Sequence, residues 1–356
     1  MLYYNVSSVD NNTTTGEKMK QNLFLTAFML LNLTISFSAL AQDSAPDNAP
    51  VLVSIKPIHS LVSSVMGDTG TPELIVSGSV SPHEFQLKPS QVNILNNARA
   101  IFYVDDTYET FLNNAFENVP QTTSKFAIAR NAGLKILSHR QGGVWEAHAH
   151  DEHTHDEHAH EEHAHDEHDD GHDHEKHEED AHDYSHDDMH VWLDPQNAIK
   201  ITKYIAKELS RIYPQNRDIY KKNAAETVAR IEALDQKIKA QLSGVKDVPF
   251  IVFHDAYQYF ENYYGLSGVG SISFEPDEAP SASRVKAVKD KIAEANAKCV
   301  FGEPYYSDKI IKTIIDGTSA RSAILDPEAT AANPGKNLYF NALEGISNSI
   351  SSCLSN

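Results

Sequence analysis

Short apolar runs alternate with helix-spaced stretches along most of this chain. Val51–Ile55, Glu73–Val76 and Ala100–Val104 are each bounded by Pro, Gly or Asp and read as buried strands. Pro57–Met66 and Pro89–Asn97, between them, carry apolar residues at helical intervals. The same grammar returns later. Phe250–Phe253, Lys298–Phe301 and Ala323–Leu325 read as strands, with Ala282–Asn296 and Lys309–Ile315 as helices between them. Such alternation predicts an α/β fold with mostly parallel sheets. At 356 residues the chain exceeds one compact core of ordinary size, so two lobes are expected.

The stretch between the two halves is almost purely helical. Asp194-Pro195 makes a good helix start, since Pro is tolerated in a first turn, and Asn197–Ile212 continues it until Pro214 breaks it. From Asn216 to Leu242 there is no Gly or Pro, and Tyr220, Ala224, Ile231, Ile238 and Leu242 recur on one stripe together with Val228 and Leu234. A helix of that length spans about 40 Å, enough to join two lobes as one rigid rod. The expected division is therefore an N-terminal lobe over 42–214, a connecting helix over 215–242 and a C-terminal lobe over 243–356.

One segment has no such periodicity. From His148 the chain reads HAHDE, HTHDE, HAHEE, HAHDE and then degenerates, with fourteen His between His148 and His186. A five-residue period fits neither helix nor strand, and nothing apolar is present to form a core, so 146–188 is expected to be a disordered loop inserted in the first lobe. This loop changes the meaning of the composition. The net charge is −20, but the interval from Glu146 to His190 holds 19 acids and one Lys, leaving the rest of the chain close to neutral. A near-neutral body with one acidic tract excludes a nucleic-acid binder, which needs a basic face.

The N-terminus reads as an export signal. Lys18 and Lys20 precede the mostly apolar Leu23 to Leu33, and Ala39-Leu40-Ala41 supplies an A-x-A cleavage site, giving a signal peptide over 1–41 with Met19 as the expected initiator and 1–18 as an upstream start artefact. The apolar run is too short to span a membrane and holds Asn32, so the mature protein is expected not to be membrane-embedded. An exported chain with two cysteines usually pairs them, which points to a Cys299–Cys353 disulfide, with two free buried thiols as the other reading.

Candidate chemistry lies in histidines outside the tract. His83 sits in a Ser/Gly/Pro loop after a strand, His254 directly follows the strand Phe250–Phe253, and His190 opens the helix start His190-Val191-Trp192-Leu193-Asp194-Pro195. In open α/β sheets ligands bind at the carboxyl ends of strands, where such loops converge. Three imidazoles form a borderline-soft nitrogen set that suits Zn²⁺, whereas Ca²⁺ and Mg²⁺ want oxygen cages. Asp326, at the end of the strand Ala323–Leu325, is the candidate fourth ligand, with water as the other option. His59 follows the first strand and is a weaker candidate, and His139 reads as a surface residue. In the tract, His148, His150, His153, His155, His158, His160, His163, His165, His168, His172, His174 and His177 form a set of secondary, weak metal sites. His148 to His153 superficially resembles the HxHxDH motif of zinc hydrolases, but its Asp is displaced by one residue and the near-match repeats in tandem. A catalytic site needs one rigid geometry, and there is no HExxH, so an enzyme is not expected.

The segments SIKPIHSLV, GSVSPHEFQLKPSQ, DMHVWLDPQNA, IVFHDAYQYFENYYGL, KCVFGEP and ILDP, spread over nearly the whole mature chain, resemble the cluster A-I solute-binding proteins of ABC importers, and specifically their zinc-specific periplasmic branch. The resemblance implies two α/β lobes joined by one long helix with metal in the cleft. Residue by residue, it places metal ligands at His83, His190 and His254. Manganese-preferring relatives carry a carboxylate in place of the last, so an imidazole there favours zinc. Some zinc members have Glu immediately before the first ligand, and Pro82 removes that option here. The role implied is that of a periplasmic monomer that captures Zn²⁺ and hands it to an ABC-type zinc permease and its ATPase. The alternatives of the same fold are a manganese or iron carrier and a zinc buffer with no importer.

Overall fold

The computed structural model describes residues 49–142, 144–145, 187–273 and 280–355, all within one compact unit that starts at Ala45. The expected signal peptide and the His/acid tract up to residue 186 lie outside the described residues.

The first half builds a four-stranded parallel sheet. Its elements are β1 (Val51–Val53), α1 (Lys56–Met66), β2 (Glu73–Leu74), α2 (Pro89–Asn96), β3 (Ala100–Tyr103), α3 (Asn113–Phe116), β4 (Ser124–Ala127) and α4 (Ile128–Asn131), with strand order β2-β1-β3-β4. A two-stranded antiparallel ribbon follows, β5 (Leu137–Ser138) against β6 (Asp187–Asp188). The expected disordered loop over 146–188 is therefore too long at its end. Asp187 and Asp188 are ladder residues, both buried, despite a sequence that looks like the tract running into them.

Two long helices come next, α5 (Pro195–Ile212) and α6 (Arg217–Leu242). The Asp194 side chain caps α5 by accepting from the Gln196 N–H at 2.7 Å, and Pro195 fills the first turn. The second sheet is also parallel and four-stranded, ordered β10-β9-β7-β8. Its elements are β7 (Phe250–Val252), α7 (Gln258–Tyr264), β8 (Gly268–Ser271), α8 (Ala282–Ala295), β9 (Cys299–Gly302), α9 (Asp308–Ile315), β10 (Arg321–Ile324) and the closing helix α10 (Leu338–Leu354).

The 26 residues of α6 correspond to about 39 Å. The stripe anticipated from the sequence is the buried one, with Tyr220, Ala224, Ile231, Ile238 and Leu242 all inside. This helix packs against α1, α5 and α10, and the core it shares with them continues through the near faces of both sheets. Each sheet keeps a smaller core on its far face. The Cys299–Cys353 disulfide is formed, joining β9 to the end of α10. Among the described residues no helix is long and apolar enough to cross a membrane.

Candidate metal centre

Three loops deliver the candidate ligands. His83 lies in a single 3₁₀ turn, Pro82–Glu84, whose geometry is set by Pro82 in the first position and by Ser81, which accepts the His83 N–H at 3.3 Å. His190 lies one residue past β6, after Met189, and His254 one residue past β7, after Phe253. The first two come from the first half of the chain and the third from the second half. The structure brings all three together, with one ligating nitrogen of each within 4.8 Å of the others. His190 Nε2 and His254 Nε2 are 3.5 Å apart. With Zn–N bonds of 2.0–2.1 Å, tetrahedral ligand nitrogens stand roughly 3.3 Å from one another, so a small inward movement of these rings would complete such a site.

The far side of each buried ring is fixed by a carboxylate. His190 Nδ1 donates to Asp188 Oδ1 at 2.8 Å, and the His190 backbone N–H donates to the same oxygen at 2.9 Å. His254 Nδ1 donates to Glu303 Oε1 at 2.7 Å. A carboxylate on Nδ1 selects the tautomer whose Nε2 lone pair is free for a metal and raises that nitrogen's basicity. Both Nε2 atoms then face each other across the cluster. His83 is the least buried of the three, and its ring packs edge-on against Tyr108 at 4.9 Å between centroids.

Electrostatics favour neutral imidazoles here. Burial, reinforced by the neighbouring imidazoles, holds His190 well below the ordinary histidine range, and His83, though less buried, is shifted in the same direction. Two nearby acids are shifted in the opposite direction. Burial pushes the Asp188 carboxyl up to about 7, with Asp255 adding to the shift. Burial likewise pushes Glu328, which accepts a hydrogen bond from the Tyr108 hydroxyl, up to about 8. Asp188, Glu303 and Glu328 each leave one buried carboxylate oxygen without a hydrogen-bond partner among the described residues. Unpaired buried acceptors are costly, and a divalent cation held by the three imidazoles would offset them. The donor set fits Zn²⁺.

Asp326, the candidate fourth ligand, is not brought into the cluster. Its carboxylate closes a turn instead, accepting from the Thr330 N–H at 3.0 Å, the Thr330 hydroxyl at 3.2 Å and the Ala331 N–H at 3.3 Å. An Asp after a strand can serve a turn as readily as a metal, and the sequence carries no sign of which. His59 is buried on α1 with Nε2 3.0 Å from the Pro72 carbonyl, outside the cluster. His139, expected at the surface, is half-buried and close enough to His83 and His190 to depress their titration. It follows β5, whose pairing with β6 draws it inward. The tract histidines lie outside the described residues. Asp188, Glu303, Tyr108 and Glu328 gave no signal of their own in the sequence, although Asp188 and Glu303 stand inside the DMHVWLDP and KCVFGEP segments.

Two parallel-sheet halves around a long helix, with imidazoles from both halves meeting between them, define a metal-capturing solute-binding protein. The family model for zinc-uptake complex component A, periplasmic, matches residues 51–353. The chain is 45% identical over 311 residues to the high-affinity zinc uptake system protein ZnuA of Brucella suis biovar 1, covering 87% of this chain and 93% of that protein. It is 40% identical over 322 residues to the protein of the same name from Paracoccus denitrificans, covering 89% and 96%. A crystal structure of ZnuA matches with a TM-score of 0.66 at 25% identity, covering 86% of this chain and 99% of that one. The chain belongs to the periplasmic zinc-uptake component A family.

Proposed function

We propose that this chain captures Zn²⁺ in the periplasm through His83, His190 and His254 and delivers it to the permease of an ABC-type importer driven by its ATPase. The observation that carries the proposal is the meeting of three imidazoles from both halves of the chain, two of them buried and each of those oriented by its own carboxylate. Such a site turns the Nε2 lone pairs of His190 and His254 toward the ion, because their carboxylates hold the ring proton on Nδ1. A fourth position falls to water or to a carboxylate, and Asp326 would have to give up its turn hydrogen bonds to take it. The division into an N-terminal lobe, a connecting helix over 215–242 and a C-terminal lobe suits this role. Parting His254 from His83 and His190 would break the site from one side and release the ion to an acceptor. The all-nitrogen set argues against a manganese carrier, which would want oxygen ligands. The role as a carrier monomer, rather than a stationary buffer, is tested by growth. Cells lacking this chain should fail in zinc-chelated medium and recover with added zinc or with the intact gene, but not with a His83→Ala, His254→Ala copy. Full recovery by that double variant would refute the proposal.

A further inference from the structure

Arg140 has no place in the ligand set, yet it joins the two halves beside it. The segment 137–145 belongs to the first half through the β5–β6 ladder, but its partners lie in the second half. The Leu137 N–H donates to the Tyr259 hydroxyl at 2.9 Å, Gln258 donates to the Ser138 carbonyl at 3.1 Å, and the Ser271 N–H donates to the Val144 carbonyl at 3.0 Å. Val144 fits there because residue 270 is Gly, since a Cβ at that position would lie 2.2 Å from the Val144 side chain. At the centre of this strap is Arg140. Its Nε donates to both Asp255 oxygens at 2.9 and 3.0 Å, its Nη1 donates to Glu261 at 2.6 Å, and its guanidinium stacks 3.4 Å above the Trp145 ring. Asp255 and Glu261 are almost wholly buried, with side chains 3% and 4% exposed.

Asp255 is the residue next to His254. Glu303, from the same half, fixes which way the His254 ring faces. The fork on Asp255 fixes something else, namely where the His254 backbone stands relative to the half that carries His83 and His190. A planar guanidinium bridging two carboxylates is rigid in a way a single ion pair is not.

From this geometry we propose that Arg140 is a positioning residue for the zinc site, setting the approach of His254 to the other two imidazoles from across the molecule. The inference rests on the three-histidine reading of the site. The hydrogen bonds of Arg140 go to Asp255, the neighbour of His254, so its effect is expected to pass through His254.

The test is a set of zinc titrations against a competing chromophoric chelator. Arg140→Ala is compared with its parent in three backgrounds: unaltered, His83→Ala and His254→Ala. Residues supporting a metal ligand typically change affinity 10–100-fold when removed. A loss of that size is expected in the unaltered and His83→Ala backgrounds, with no further loss in the His254→Ala background. Equal losses in all three would mean that Arg140 serves only general stability, and would overturn the inference. So would unchanged affinity. Tighter binding would overturn it as well, because it would mean that the guanidinium acts as a repelling charge. If Arg140→Ala does not fold, Arg140→Lys carries the same cycle, since an ammonium keeps the charge but cannot bridge both acids. It should show the same pattern with a smaller loss. Failure of the underlying site reading looks different, since His254→Ala alone would then leave zinc affinity unchanged.

Discussion

At the residue scale, the site is two rings of side chains with different visibility. His83, His190 and His254 were legible in the sequence because each stands at a strand end or helix start, where α/β sheets present ligands. Asp188 and Glu303 were not, because a carboxylate's partner depends on which strands lie side by side, and a single sequence does not show that. Their role predicts a measurable effect. Glu303→Gln should weaken zinc binding about 10–100-fold by titration, since an amide no longer enforces the Nδ1–H tautomer of His254. Unchanged affinity would remove Glu303 from the account. The lowered titration of His83 and His190 sets the pH dependence. Protons compete with zinc only once an imidazole begins to charge, and a lowered pKa moves that point down in pH. Proton competition at His83 and His190 should therefore begin only below the ordinary histidine range near 6.5, and a change between pH 7.5 and 6.5 would belong to the Asp188 carboxyl that holds His190. A steep loss beginning at 6.5 would show that these imidazoles titrate like free ones.

At the element scale, strands with apolar runs and helices with a clear stripe were found in the sequence with ends displaced by a few residues. The misses have physical causes. The closing helix α10 ends in SNSISSCL, a Ser/Asn-rich stretch of poor helix propensity that tertiary packing against α1 and α6 overrides. Strand β8 reads GVGS, which resembles a turn, but its glycines make room for Glu261 and for Val144. Strand β4 is four residues long and passes directly into α4, too short to show a period. The disulfide ties α10 to β9 and should act on stability alone. Replacing Cys299 and Cys353 together by Ser should lower unfolding free energy by roughly 2–5 kcal/mol in denaturant titration. Zinc affinity should be unaltered, because neither sulfur belongs to the cluster. A matching loss of affinity would mean that the closing helix supports the site.

For the molecule as a whole, the sequence sets a near-neutral body carrying the three-histidine cluster beside an acidic His tract inserted between Trp145 and Asp187. The tract's charge and histidines follow from the sequence alone. Ordering a chain segment around each ion costs entropy, so if the tract binds metal its sites should be weak and numerous while the three-histidine site is tight and single. Deleting 147–186 and keeping Asp187 and Asp188 for the β6 ladder should abolish the weak sites in calorimetry and spare the tight one. Equal total stoichiometry with and without the tract would mean that it does not bind metal. Whether one zinc ion is held by imidazoles from both halves is decided by X-ray absorption on this tract-deleted protein loaded with one equivalent of zinc. Three histidine nitrogens at about 2.0–2.1 Å are expected, falling to two in the His254→Ala variant. A shell made mostly of oxygen, or one that His254→Ala leaves unchanged, would contradict this expectation.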